Sequence, residues 1–157
     1  MTIGFTIRGL DPAPFRDMYG MDAAVLAGRL AQRVVADAAF GYLDRVGLRD
    51  AAIGETLLLV HHVHQPAATP YRASHAVFVR EGAEQVAECT NQVPPMLGRR
   101  MLSRRGFDRE DTMTAAELVP GEAAAHMIEH LLARRDVAYL HAHFAVHGCF
   151  AVRIDRI

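Results

Sequence analysis

Val137-Ala138-Tyr139-Leu140-His141-Ala142-His143-Phe144-Ala145-Val146-His147-Gly148-Cys149-Phe150-Ala151-Val152-Arg153-Ile154-Asp155-Arg156 closes the chain and reads as a β-hairpin. In a strand, side chains two apart share a face. From Val137 to Val146, one face carries Leu140, Phe144 and Val146 with Ala138 and Ala142, a clean core face. The other carries Val137, Tyr139, His141 and His143. These histidines therefore point away from that core, toward a cleft, a second layer or solvent. His147-Gly148 is the predicted turn, and Cys149 to Arg156 the last strand.

A second histidine-rich strand is predicted over Glu55 to Gln65. Its faces are Leu58, Val60, His62, His64 and Leu57, Leu59, His61, Val63. Both begin apolar, which predicts a central strand covered on both sides. The loop Gln65-Pro66-Ala67-Ala68-Thr69-Pro70 leads to Val77-Phe78-Val79, an antiparallel hairpin partner. Thr2 to Arg8 alternates Ile3, Phe5 and Ile7 with polar or small residues and reads as a half-buried strand. Asp11-Pro12 predicts a short helix to about Met18, and Asp22 a second through Arg29. Val34-Val35 prefers a strand. Pro94-Pro95 breaks the chain, and Pro120-Gly121-Glu122 opens a helix to about Arg134. The sum is an α+β fold: a single domain, residues 1–157, with a mostly antiparallel sheet and two to three helices packed on it.

Composition narrows the function. The 157 residues carry a net charge of −1, so no global basic field favours nucleic acid. No apolar run approaches the roughly 20 residues of a membrane helix, and the N-terminus lacks a secretory pattern. Two cysteines, Cys89 and Cys149, make no disulfide framework. A soluble cytoplasmic protein is expected. All 17 basic residues are arginine. With no lysine, Schiff-base pyridoxal chemistry, a Walker-A loop and the protein-kinase strand lysine are excluded. Neither Ser74 nor Ser103 lies in a G-x-S-x-G elbow, and no G-x-G-x-x-G or C-x-x-C occurs.

Imidazole is the commonest metal ligand and the natural acid–base group near neutral pH. The candidate ligands are His62, His64, His141 and His143, for zinc, iron or manganese with an open position for water. A metal-bound water is then the attacking group. Cys149 joins if the turn is tight. Protonating all nine histidines moves net charge from −1 to as much as +8. Much of that change falls between about pH 7 and 5.5, which predicts altered solubility or oligomeric state there. His126-Met127-Ile128-Glu129-His130 matches H-x-x-E-H, but helical periodicity puts its polar residues opposite the Met127, Ile128, Leu131 and Leu132 stripe, in solvent. In Pro70-Tyr71-Arg72-Ala73-Ser74-His75 and Val79-Arg80, Arg72 and Arg80 suit a carboxylate or phosphate, and Tyr71 suits substrate orientation or protonation. The arginines at 99, 100, 104, 105 and 109, followed by Asp108, Glu110 and Asp111, read as a solvated mixed-charge face.

Gly54-Glu55 with Leu57-Leu58-Leu59, His64-Gln65-Pro66, Pro70-Tyr71-Arg72-Ala73-Ser74, Phe78-Val79-Arg80, Tyr139-Leu140-His141-Ala142-His143 and Gly148-Cys149 together resemble the bacterial family called domain of unknown function 1203. The resemblance covers nearly the whole chain and implies no reaction. It carries His64, Tyr71, Arg72, Arg80, His141, His143 and Cys149 onto this sequence, but not clearly His61, His62 or His147. Leu43-Asp44 stands where the family is expected to have Pro-Cys, and Phe144 where it is expected to have asparagine. A cysteine-pair mechanism is thereby disfavoured. Two readings remain open. One is a small-ligand or metal-dependent enzyme, with His141, His143 and Tyr71 catalytic, Arg72 and Arg80 ligand-binding, and His64, His141 and His143 as metal ligands. The other is a non-catalytic binding module, a homo-oligomer with structural or pH-responsive histidines. No nucleic acid or membrane partner is expected in either.

Overall fold

The C-terminal hairpin pairs as its alternation predicts and lies inside the larger of two main sheets. The computed structural model describes residues 2–157. In chain order the elements are β1 (Phe5–Arg8), α1 (Ala23–Gly28), β2 (Ala31–Val35), β3 (Leu43–Asp44), β4 (Arg49–Asp50), β5 (Thr56–Gln65), β6 (Ala73–Arg80) and β7 (Glu88–Thr90). Then follow α2 (Pro95–Gly98), β8 (Met101–Phe107), β9 (Met113–Pro120), α3 (Ala124–Leu132), β10 (Tyr139–Phe144) and β11 (Phe150–Arg156). The six-stranded sheet has the order β7-β1-β11-β10-β8-β9, and the three-stranded sheet β2-β5-β6. Every strand pair is antiparallel, including the small β3–β4 ribbon.

Helix α3 covers one face of the six-stranded sheet. Ile128, Leu131 and Leu132 pack there with Leu102, Leu140, Ala142, Phe144, Val152 and Ile154. His126 and His130 are exposed, as the helical periodicity requires. The opposite face meets the three-stranded sheet. Leu58, Val60, Val77 and Val79 pack there with Phe15, Leu26 and Phe150. β10 is consequently buried at every residue. Of the three environments open to its histidine face, the second layer is the one realised.

Several local expectations change. Asp11 does accept from the Ala13 N–H at 2.9 Å, but the only helical piece that follows is a single 3₁₀ turn over Arg16–Met18. Asp22 caps α1 as expected, through the Val25 N–H. Only the start of the Leu57 face of β5 is covered, with Leu57 packed against Ala36 and Ala51, while His61 and Val63 are exposed. Val137 joins the helix-side core because regular pairing starts at Tyr139, and Val146 lies in the turn, 85% exposed.

The largest correction concerns the arginine run. Arg99 and Arg109 are exposed as expected, but Arg104 and Arg105 lie in an interior strand, β8, hydrogen-bonded to β10 on one side and β9 on the other. Leu102, Arg104 and Gly106 take the helix face, opposite Phe144, Ala142 and Leu140. Arg104 is fully buried, and its three guanidinium nitrogens have no hydrogen-bond partner. Burial holds that guanidinium down at about 10, with Glu117 opposing the shift. A buried charge without a partner destabilises the folded state. Arg104→Met keeps the length and removes the charge. It should raise the unfolding free energy by about 1–3 kcal/mol, read as a higher urea midpoint; a lower midpoint would show that the guanidinium is held by a partner.

Candidate metal centre

His64, His141 and His143 converge between the two sheets. Each offers one ring nitrogen to a set whose members all lie within 4.8 Å of one another. The ring centroids are 4.8 Å apart for His64 and His143, 6.0 Å for His64 and His141, and 6.2 Å for His141 and His143. His141 and His143 arrive by strand period alone. His64 arrives from the other sheet.

Two β-bulges aim the side chains. In β5, Val63 pairs with Ser74 and Gln65 with Ala73, so His64 is the extra residue. Both His64 and Gln65 then reach the interface: His64 stacks on Phe150 at 5.3 Å, and Gln65 donates to the Tyr139 hydroxyl at 2.9 Å. In β11, Val152 pairs with Ala142 and Phe150 with His143, leaving Ala151 as the extra residue. Val152 stays in the helix-side core while Phe150 turns to the histidines. Bulges re-aim side chains in this way and are frequent beside functional sites. Phe150 forms one wall, meeting His141 and His143 edge-on.

A carbonyl of the turn after β10 fixes one tautomer. His143 Nδ1–H donates to the Gly148 carbonyl at 3.1 Å, which leaves Nε2 as its free lone pair. Gly148 can turn its carbonyl there because its φ is +74°, a conformation glycine adopts without strain. Metal-binding histidines are commonly oriented by such a carbonyl. His143 Nε2, His141 Nδ1 and His64 Nδ1 are buried and have no hydrogen-bond partner. One orphaned buried nitrogen in each of three adjoining rings is a costly arrangement unless something fills it.

Around the rings, β8 supplies Arg105 opposite His141, Ser103 opposite His143 and Phe107 opposite Tyr139. Phe107 packs 4.9 Å from His141, centroid to centroid. Tyr139 donates to Asp111 at 2.6 Å, and burial, helped by this carboxylate, pushes its hydroxyl up to about 12. Arg153 lies over the Tyr139 ring at 3.8 Å and pairs with Asp155. Among the described residues, no aspartate or glutamate joins the histidine set.

The other predicted residues are placed as follows. Tyr71 stands at the rim, 38% exposed, its ring 6.4 Å from Phe107. Arg72 and Arg80 bracket β6 at its two ends, about 25 Å apart in an extended strand. They cannot grip one small anion. Arg72 is at the His64 end, and Arg80 pairs with Leu57 at the far end. His62 shares the His64 face but packs on Phe15 and Phe150, outside the set. Cys149 turns the other way, and its Sγ accepts from the buried Arg45 at 3.2 Å. Arg105, Ser103 and Phe150 were missed by sequence reasoning. Arg105 and Ser103 were hidden in a charge-rich stretch, and no periodicity reveals the β11 bulge that turns Phe150.

A two-sheet α+β protein with a buried three-histidine cluster is the class these features define. The chain belongs to the family described as "Protein of unknown function (DUF1203)", which matches residues 41–156 and so contains all three histidines. No curated protein and no solved structure matches it. No helix among the described residues is long and apolar enough to cross a membrane.

Burial lowers the histidines most: His141 and His143 to about 3 and His64 to about 4. For His141 the neighbouring His143 adds to the effect, for His143 Arg105 does, and for His64 His62 does. The cluster thus stays neutral between pH 7 and 5.5 and contributes nothing to the charge change expected there. Neutral imidazole is the ligand form. The unfolded chain takes up protons near the ordinary histidine value, about 6.5, and the folded chain only near 3 to 4. Stability is therefore full above about pH 6.5 and is lost as pH falls toward the folded values. At pH 5, each of the deeply buried His141 and His143 should have cost about 2 kcal/mol relative to neutral pH. Urea unfolding of metal-free protein at pH 7.5 and 5.0 reads this, and it should be largely absent in a His141→Phe/His143→Leu variant.

Proposed function

We propose that His64, His141 and His143 hold a divalent transition-metal ion and that the protein is a metal-dependent enzyme acting on a small ligand. The observation that carries this is the set of three adjoining rings, each with a buried nitrogen that has no partner. Tetrahedral zinc, with Zn–N of about 2.0–2.1 Å, needs ring nitrogens roughly 3.3–3.4 Å apart. The set spans up to 4.8 Å, so loading draws the rings inward by roughly an ångström. His64 is the ring best able to move, because it occupies a bulge at a partly exposed strand end.

Three nitrogens without a carboxylate suit zinc or iron(II) better than manganese, which prefers oxygen. Three protein ligands leave an open position, the pattern of catalytic rather than structural sites. Such an ion lowers the pKa of bound water and polarises carbonyl or phosphoryl oxygens. The chain's own groups supply the surroundings: Phe150 and Phe107 exclude water from two sides, and the Gly148 carbonyl keeps His143 Nε2 unprotonated. Five surface cavities of about 200 to 450 Å³ are lined by other residues.

Elemental analysis of protein purified without a histidine tag should find about one zinc or iron per chain. His141→Ala/His143→Ala should lose it. Adding zinc at a hundredfold excess over its Kd to metal-free protein should stabilise it by about 2.7 kcal/mol, a rise in Tm of about 5–10 °C. No bound metal, together with an unmoved Tm for zinc, iron(II) and manganese, would leave the histidines structural.

A further inference from the structure

Resting on the metal reading, we infer that the open position takes a small oxyanion, of the carboxylate, bicarbonate or phosphate class, and that Arg105 holds the oxygen turned away from the metal. Arg105 stands directly across the strand pair from His141, on the histidine face of the sheet. Directly paired residues bring their Cβ atoms to within about 5.5 Å. Ser103, next along that face, is paired with His143.

Arg105 is partly buried and lacks a carboxylate. It is in none of the ion pairs within 4.0 Å among the described residues. Its one side-chain hydrogen bond is a long contact, 3.5 Å from Nε to Ser103 Oγ. The two Nη groups donate to no protein atom there. Of the other arginines near the site, Arg72 is exposed, and Arg153 is already committed to Asp155 and to the Tyr139 ring. Arg105 is thus the cation that flanks the histidines with its donors free.

Charge decides the ligand class. Three neutral imidazoles do not offset a divalent ion, and no carboxylate of the described residues joins them. With Arg105 beside it, the loaded site carries about three positive charges in a partly dry space, which is unfavourable until an anion enters. A guanidinium fork matches the spacing of two oxygens on one carbon or phosphorus. One oxygen on the metal and another on Arg105 satisfies both centres. The Ser103 hydroxyl adds a donor beside the arginine. Burial of β10 on both faces keeps the anion small.

Cobalt(II) titration followed by visible absorption tests this with separable outcomes. Cobalt should be taken up one per chain, and its spectrum should shift saturably on adding acetate, bicarbonate or phosphate. Arg105→Gln should bind cobalt one to one and weaken the best anion at least tenfold; Arg105→Lys, which keeps the charge but not the fork, should fall between. No cobalt uptake by the wild type sinks the metal reading and this inference with it, before any anion is added. Normal cobalt uptake with a spectrum indifferent to all three anions, or equal anion affinity in wild type and Arg105→Gln, overturns this inference alone. So does phosphate binding by metal-free wild type as tight as by the cobalt form, measured by calorimetry. If Arg105→Gln fails to fold, the Arg105→Lys comparison decides.

Discussion

Burial of β10 on both faces is the constraint from which the rest follows. A strand sends alternate side chains to opposite sides. Leu140, Ala142 and Phe144 fill the core under α3, so Tyr139, His141 and His143 must enter the interface with the three-stranded sheet. Those histidines cannot reach bulk water, and their basicity falls with burial. The fold thereby keeps two neutral imidazoles beside each other, close enough for a third to complete a set.

The third comes from the other sheet, and two irregularities make room for it. A one-residue bulge in β5 brings His64 and Gln65 to the same interface, and a one-residue bulge in β11 turns Phe150 under the His64 ring. In perfect register Gln65 would turn away from the interface and Phe150 away from the histidines, because a shift of one residue reverses the face of every side chain beyond it. The turn that follows β10 contributes as well. Gly148 takes a left-handed conformation and presents its carbonyl to His143, while Cys149 faces away and anchors the buried Arg45. One turn thus orients His143 on one side and closes the core on the other.

The polar groups that surround the histidines are unevenly satisfied. Tyr139, Gln65 and Asp111 form a complete chain of hydrogen bonds, and Arg153 is paired. The ring nitrogens are not, and the partly buried Arg105 is held only by one long contact to Ser103. Buried groups that lack partners are rare in folded proteins, and several in one place point to a missing occupant more than to accumulated strain. A cation for the nitrogens and an anion for the arginine would complete the site together.

Much of this was legible in the chain. The two-residue alternation of Tyr139 to Phe144 identified the strand, its core face and the opposite face with His141 and His143. The apolar start of Thr56 to Gln65 identified a central strand, and the Asp22 cap a helix. Local period and capping chemistry suffice for these because they depend on neighbours in sequence. The arginines at 104 and 105 misled for the same reason. Charge within a short window reads as solvent exposure, and only the pairing of β8 with both β10 and β9 shows that the strand is interior. The chain alone determined that His141 and His143 share the face of their strand opposite its core face. That His64 meets His141 and His143, that Arg105 joins them, and that Arg80 stands away was decided by tertiary structure, since each depends on register and bulges between strands far apart in sequence.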